Sequence, residues 1–245
     1  MSTIDIAMTA WPRTAARLSY MRRTLESIQE HVRNSRGELR LRVSLESADV
    51  PTALERETEA LLRGFRLEQW GPVVSGENPV LSTEVIWAWR SKPPSLGGNM
   101  NDALRMCSGA DFILLTQDDW TWNHPTELSL DADQLGCALG YAMIRYATFY
   151  CEFTHALNER LWNVDVNTKY AYGDQPHLRR GSFVEEFGWY VESQTGDYAT
   201  PEQAMADRLR ENNWGIAAYH PNRVDHCGSL SSSEERQREP LRQHG

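Results

Sequence analysis

Asp118 and Asp119 close the segment Phe112-Ile113-Leu114-Leu115-Thr116-Gln117-Asp118-Asp119. Its continuous apolar run marks a strand buried on both faces. Two adjacent carboxylates at the carboxyl end of such a strand repel each other, and burial raises that cost. A divalent cation removes the repulsion, because such ions take oxygen ligands. A cation held there can also bridge a diphosphate and neutralise charge as it leaves. The competing account is a solvated turn, since Asp is common in turns and can cap the segment that follows.

The pair needs elements to position it, and the chain before it alternates strand with helix. Residues 4–9 are short, apolar and β-prone, and Trp11-Pro12-Arg13 breaks them. Leu18, Met21, Leu25 and Ile28 recur at spacings of three and four, which predicts a helix over 15–32. Leu39, Leu41 and Val43 alternate in a second strand over 39–44. Asp49 near the cap and Pro51 in the first turn open a helix that ends at Gly64. Residues 65–70 alternate as a third strand, 71–81 read as a loop, and 82–90 as helical. A Pro/Gly break follows at 93–98, then a helix over 99–107 with Met100, Ala103, Leu104 and Cys107 on one face. This order indicates a parallel sheet with right-handed crossovers. Ligands bind such sheets beyond the carboxyl ends of the strands, where the acid pair lies. Further on, 139–148 are β-like, 158–183 irregular, 202–212 helical, and 216–219 a short strand.

The stretch from Gly97-Gly98-Asn99-Met100-Asn101-Asp102-Ala103-Leu104 through Ser108-Gly109-Ala110-Asp111 to Gln117-Asp118-Asp119 resembles the core signature of family 2 glycosyltransferases. That signature is a glycine-bearing loop, an asparagine-alanine-leucine helix, a glycine-aspartate turn, an apolar strand and a D-x-D acidic cluster. The resemblance covers residues 4 to 120 well and 195 to 228 more weakly. It implies the GT-A nucleotide-diphospho-sugar transferase fold, an α/β architecture with a Rossmann-like, mostly parallel sheet flanked by helices. It also implies a nucleotide-diphosphate sugar as donor and Mn2+ or Mg2+ as cofactor.

The same resemblance assigns residues. Thr9 and Arg13, at the break after the first strand, and Asn101 fall on the cofactor-binding side. Glu46 or Asp49 stands where the family contacts the nucleotide base. Asp119 would hold the metal, and Asp118 the metal or the ribose. Gln117 departs from the acid expected at the first D-x-D position; it can hydrogen-bond a ribose hydroxyl but supplies no charge. Counting back from Arg208-Leu209 puts Glu202 at the general-base position of inverting members, with Asp197 as the alternative. Glu202 beside Pro201 is equally an ordinary helix-start residue. His226, after the last strand, would be a third metal ligand through a neutral imidazole, or a surface histidine. A zinc site is disfavoured, because His220, His226 and Cys227 lack the usual ligand spacing. Trp120 and Trp122 flank the acids and offer faces suited to a sugar, although large aromatics also fill cores. Arg179 and Arg180 could close over a diphosphate or form a solvated basic turn.

The chain has 245 residues, 40% of them hydrophobic and 24% charged, which is a globular composition. Residues 1–228 are expected to form one domain, with 1–120 binding the donor and 121–228 the acceptor, before a mobile polar tail over 229–245. The net charge of −9 argues against a primary nucleic-acid binder. No apolar run approaches the ~20 residues that span a membrane. The N-terminus lacks a signal-peptide pattern, and the four cysteines form no C-x-x-C pair, so the expectation is a cytoplasmic chain with reduced thiols. The acceptor hydroxyl is open between a glycan, a lipid, a protein and modified nucleic acid. Two other functions compete. A nucleotidyltransferase would need a basic, glycine-rich loop after the first strand, and Thr9-Ala10-Trp11-Pro12-Arg13 has no glycine. A non-catalytic nucleotide- or sugar-binding protein on a decayed transferase fold would account for Gln117.

Overall fold

The computed structural model describes residues 2–70, 80–138, 140–148, 151–168, 171–192 and 201–227. From the N-terminus, β1 (Ile4–Ala10) leads into α1 (Ala15–His31), β2 (Val32–Arg33), β3 (Leu39–Glu46) and α2 (Thr52–Gly64). β4 (Arg66–Trp70), β5 (Val80–Glu84) and β6 (Ile86–Arg90) precede α3 (Leu96–Met106) and β7 (Phe112–Gln117). β8 (Trp120–Trp122) and β9 (Thr126–Glu127) lead to α4 (Leu128–Cys137) and β10 (Tyr141–Arg145). The chain continues through β11 (Phe153–Ala156), β12 (Leu161–Val164), β13 (His177–Arg180) and α5 (Phe183–Phe187). It returns through α6 (Pro201–Glu211) to β14 (Gly215–Tyr219) and β15 (Val224–His226).

Nine strands form the central sheet in the order β11-β12-β14-β10-β13-β7-β1-β3-β6. β1 pairs in parallel with both β3 and β7, and β3 in parallel with β6. β13 runs antiparallel to its neighbours β7 and β10, and β12 antiparallel to β14 and β11. The remaining seven strands therefore share one direction, and the sheet is mostly parallel.

Apolar side chains cover both faces. On one face Ile4, Ile6 and Met8 of β1 and Leu114 of β7 pack under α1, α2 and α4. On the other, Ala7, Ile113 and Leu115 pack under α3, α5 and α6. Alternate residues of each strand thus face opposite layers, as a pleated strand requires. Each fully buried aliphatic side chain contributes roughly 1.5–3 kcal/mol, so these two layers hold the sheet. The periodicity read for the first helix holds, since Leu18, Met21, Leu25 and Ile28 are all buried.

Three expected elements differ. Residues 82–90 are not helical but contribute to β5 and to β6, the edge strand of the sheet. Ile86-Trp87-Ala88-Trp89 alternates exposed with half-buried positions, a period of two that favours a strand. The third strand expected over 65–70 exists as β4, but it pairs only with β5, outside the central sheet. Within the segment expected to be irregular over 158–183, β12 and β13 both join the sheet. Asp49 does not cap α2: Pro51 is the cap residue, and Asp49 is exposed at φ 57°. The expected tail over 229–245 and most of the loop over 71–81 lie outside the described residues. No described helix is long and apolar enough to cross a membrane, and all four cysteines are free.

Asp131 pins α4 to the sheet. Its carboxylate accepts from the Tyr146 hydroxyl at 2.7 Å and from the Tyr219 hydroxyl. Burial pushes this carboxyl up to about 6 against the pull of those hydroxyls. The folded chain therefore keeps a proton that the unfolded chain loses above pH ~4. This group's contribution is full below pH ~4 and falls as pH rises towards about 6. Urea denaturation at about pH 4.5 and about pH 7 should show the wild type losing roughly 2 kcal/mol more than Asp131→Asn across that interval. Equal losses in both chains would contradict it.

Candidate active site

The register of β1 against β7 sets Thr9 beside Gln117, so the chain leaves β1 next to the acid pair. The Asp118 amide donates to the Thr9 carbonyl at 3.0 Å, and the Trp11 amide donates to Asp118 Oδ2 at 3.1 Å. The Asp118 side chain is 1% exposed and that of Asp119 is 7% exposed. The buried pair of carboxylates is therefore real, and the solvated turn is excluded.

Arg17 compensates both acids. Its Nη1 lies 2.6 Å from Asp119 Oδ2, and its Nη2 pairs with Asp118 Oδ1. The Thr14 hydroxyl caps α1 by accepting from the Arg17 amide, which puts the guanidinium one turn into the helix. A cation at a helix N-terminus opposes the helix dipole, and the two carboxylates offset that penalty. Burial pushes the Asp118 carboxyl above its usual range, against the pull of Arg17. Burial opposes ionisation of Asp119 too, yet the bond from His226 and the charge of Arg17 hold it below the usual range.

His226 reaches the acids because β15 pairs with β8 immediately after the turn. Its Nε2 lies 3.2 Å from Asp119 Oδ2, and its ring sits 4.6 Å from the Trp120 ring. The Cys227 amide fixes the segment by donating to the Asp119 carbonyl at 2.8 Å.

Beside the acids lies a cleft of about 270 Å³. Thr9, Glu46, Gln117 and Asp118 line it, as their positions in the sequence suggested, and Trp11, Arg17 and Asn99 line it as well. Asn99 Oδ1 is buried without a hydrogen-bond partner at the wall, whereas Glu46 Oε2 faces the Arg90 guanidinium. Arg90 lies 3.5 Å from Glu46 and spans to Asp102 at 2.6 Å, so the wall is held from behind. Glycine is required at the start of α3. A Cβ on Gly98 would come within 2.3 Å of Arg90 Nη2, and one on Gly97 within 2.2 Å of the Val191 carbonyl oxygen and 3.2 Å of Pro201 Cγ. The approach at Gly97 sets Pro201, the first residue of α6, against the start of α3.

Glu202 is half-buried, and its Oε2 has no hydrogen-bond partner. Its charge acts on Asp174, a residue that no motif in the sequence singles out. Gln117 Nε2 donates to Asp174 Oδ2. Burial, then the charge of Glu202, push the Asp174 carboxyl above its usual range.

Other expected site residues lie elsewhere. Asn101 is buried with its amide fully used: it donates to the Tyr190 carbonyl at 2.9 Å and to Glu192 Oε1 at 3.0 Å, and accepts from the Tyr190 amide at 2.9 Å. Two residues along a helix turn through about 200°, so Asn99 rather than Asn101 faces the cleft. Arg180 pairs with Phe112, at the opposite end of β7 and roughly 20 Å from the acids by strand rise. Its guanidinium donates to the carbonyls of Tyr141 at 2.8 Å and Leu135 at 2.7 Å, so it ties α4 to β10 and cannot reach a diphosphate at the acids. Arg13 is exposed and stacks 4.3 Å over the Trp11 ring, outside the cleft lining. Trp120 and Trp122 are buried against His226 and Tyr146, so Trp11 is the aromatic of the cleft. Asp197 lies outside the described residues. A readable signal for Arg17 was a cation in a helix first turn that holds no acid.

The donor set fits a divalent cation that arrives with a diphosphate. Asp119 Oδ1 is buried with no hydrogen-bond partner, and Asp118 and His226 flank it. Among the described residues, no three His, Cys, Asp or Glu side chains form a complete site by themselves. Magnesium commonly takes one or two carboxylates and completes its shell with waters and substrate phosphates.

No protein-family model and no curated protein sequence matches the chain. Solved structures do. Residues 1–349 of S. aureus TarS in complex with UDP-GlcNAc align with a TM-score of 0.57 and 13% identity, over 99% of this chain and 65% of that one. The mannosyltransferase PcManGT from Pyrobaculum calidifontis, in complex with GDP-Man and Mn2+, aligns with a TM-score of 0.56 and 12% identity, over 96% and 59%. The chain has the GT-A glycosyltransferase fold. It spans 36% of the longer TarS structure and 65% or less of the others, and at these identities the likeness is one of fold.

Removing Arg17 leaves two carboxylates facing each other. Arg17→Gln should lower stability in urea by about 2 kcal/mol, below the ~3–5 typical of a fully buried pair because Arg17 is partly exposed. Mn2+ should raise the melting temperature of that variant more than that of the wild type. An equal response in both would separate the cation from the acid pair.

Proposed function

We propose that the chain transfers a sugar from a nucleoside-diphosphate donor to an acceptor hydroxyl, with Mn2+ or Mg2+ at the acid pair and with inversion at the anomeric carbon. The observation that carries this reading is the buried Asp118–Asp119 pair, with Asp118 lining the cleft, at the end of a central strand of a GT-A fold. The UDP-GlcNAc, GDP-Man and Mn2+ held by the two neighbours support the same donor class and a cation.

Residues 1–120 bind the donor in this reading. Asn99, through its unpartnered acceptor, and Glu46 meet the base and ribose, and Thr9 and Gln117 line the same cleft. Asp119, Asp118 and His226 hold the cation, which when bound supplies positive charge for the departing diphosphate. Arg17 adds a second positive charge beside it. Residues 121–228 meet the acceptor. As its oxygen bonds to the anomeric carbon, the bond to the diphosphate breaks and its electron pair leaves with the phosphate. The hydroxyl proton passes to a carboxylate, for which the sequence offers Glu202 and, as the alternative, Asp197. The acceptor hydroxyl belongs to a glycan, a lipid, a protein or modified nucleic acid, and the net charge of −9 weighs against the last.

A second reading, a nucleotide- or sugar-binding protein without turnover, is favoured by one contact. Arg17 already satisfies oxygens of both acids, so they can persist without a cation. Calorimetric titration with UDP and GDP, with and without Mn2+, on the wild type and Asp119→Ala, separates the two. Transfer predicts that one nucleotide binds at least about tenfold tighter with Mn2+ and that this gain disappears in Asp119→Ala, a difference of about 1.4 kcal/mol. Mn2+-independent binding, unchanged in the variant, would favour the binding protein.

A further inference from the structure

The residue that departs from the acidic signature, Gln117, has a partner outside the acid pair. It lies between the donor cleft, which it lines, and the loop entering β13, where its amide bonds Asp174 Oδ2. Asp174 is half-buried as a residue, and burial is the largest influence on its carboxyl. Gln117 of β7 bonds it, and the charges of Glu202, in the first turn of α6, and more weakly of Asp119, after β7, act on it. The segment 171–176 enters the site because β13 pairs antiparallel with β7, which carries residues before His177 towards the acid end of the sheet.

An acid at position 117 would add another negative charge directly against Asp174, where like charges disfavour ionisation of both. Glutamine is uncharged, donates a hydrogen bond and is long enough to reach. The departure at Gln117 is therefore matched to the carboxylate at Asp174.

We infer that Asp174, in place of Glu202 or Asp197, is the group that takes the proton from the acceptor hydroxyl, with Gln117 as the positioning residue that orients it. The inference rests on the transferase reading above. In the step, the acceptor O–H bond breaks and its proton passes to the Asp174 carboxylate. The acceptor oxygen bonds to the anomeric carbon, and the electron pair of the broken carbon–oxygen bond leaves with the nucleoside diphosphate. No further reactant is needed. A carboxyl lifted by burial and by Glu202 to about 6 is suited to general-base work near neutral pH.

Cleavage of UDP-GlcNAc and GDP-mannose, with water as acceptor, tests this beside UDP and GDP binding by calorimetry. Asp174→Asn should lower kcat by about 10²-fold or more while nucleotide affinity and melting temperature stay near those of the wild type. Asp174→Glu should recover part of the rate, which a merely structural role would not produce. Glu202→Gln should keep kcat within roughly tenfold and move the rising limb of the pH profile to lower pH, because a negative neighbour has been removed. The inference is overturned if Asp174→Asn retains the rate, or if Glu202→Gln abolishes cleavage. In either case a wild type that cleaves donor leaves the transferase reading standing. A wild type that neither binds nucleotide nor cleaves donor overturns that reading and this inference with it.

Discussion

Two adjacent carboxylates at the end of a buried strand must be compensated, and the site is organised around that requirement. The charge comes from Arg17, separated from Asp118 by 101 residues, and the imidazole from His226, separated from Asp119 by more than 100. A backbone amide from Trp11 completes the set. None of these can reach the acids unless β1 lies directly beside β7 and β15 folds back on β8. The compensation is thus a consequence of sheet order. Losing either pairing would leave buried charge without a partner, which destabilises a fold far more than losing one surface contact.

The same arrangement separates two tasks across one strand end. On the β1–β3 side, Asn99 leaves an acceptor unpartnered at the cleft wall, while Arg90 pairs with Glu46 Oε2. On the β13 side, Gln117 turns its amide away from the acids to hold Asp174 near Glu202. Gln117 therefore joins the two sides. The close approach of Gly97 to Pro201 seats the start of α6 against α3, while Gly98 leaves room for the Arg90 guanidinium.

Much of the N-terminal half was legible in the sequence. The apolar run before Asp118, the period of α1 and the alternation of β1 and β3 each reflect local geometry plus burial, which residue spacing records. Residues 82–90 were misread because Trp87 and Trp89 with Ile86 suit either a helix face or an edge strand, and only pairing with β3 decides between them. Asn101 and Asn99 were indistinguishable as letters, and their separation around α3 gave them opposite surroundings. Arg180 has the composition of an anion-binding residue, but its place at the far end of β7 ties it to backbone carbonyls.

The sequence by itself determined which segments could be strands and helices, and that two acids would end a buried strand, because periodicity and hydrophobicity act over a few residues. Tertiary structure decided which charges meet those acids. Arg17, Asp174 and Glu202 come from segments far apart along the chain, and their pairing depends on strand order and helix packing rather than on any local pattern. Electrostatic partnership acts through space, at distances of a few ångströms that no spacing along the chain encodes.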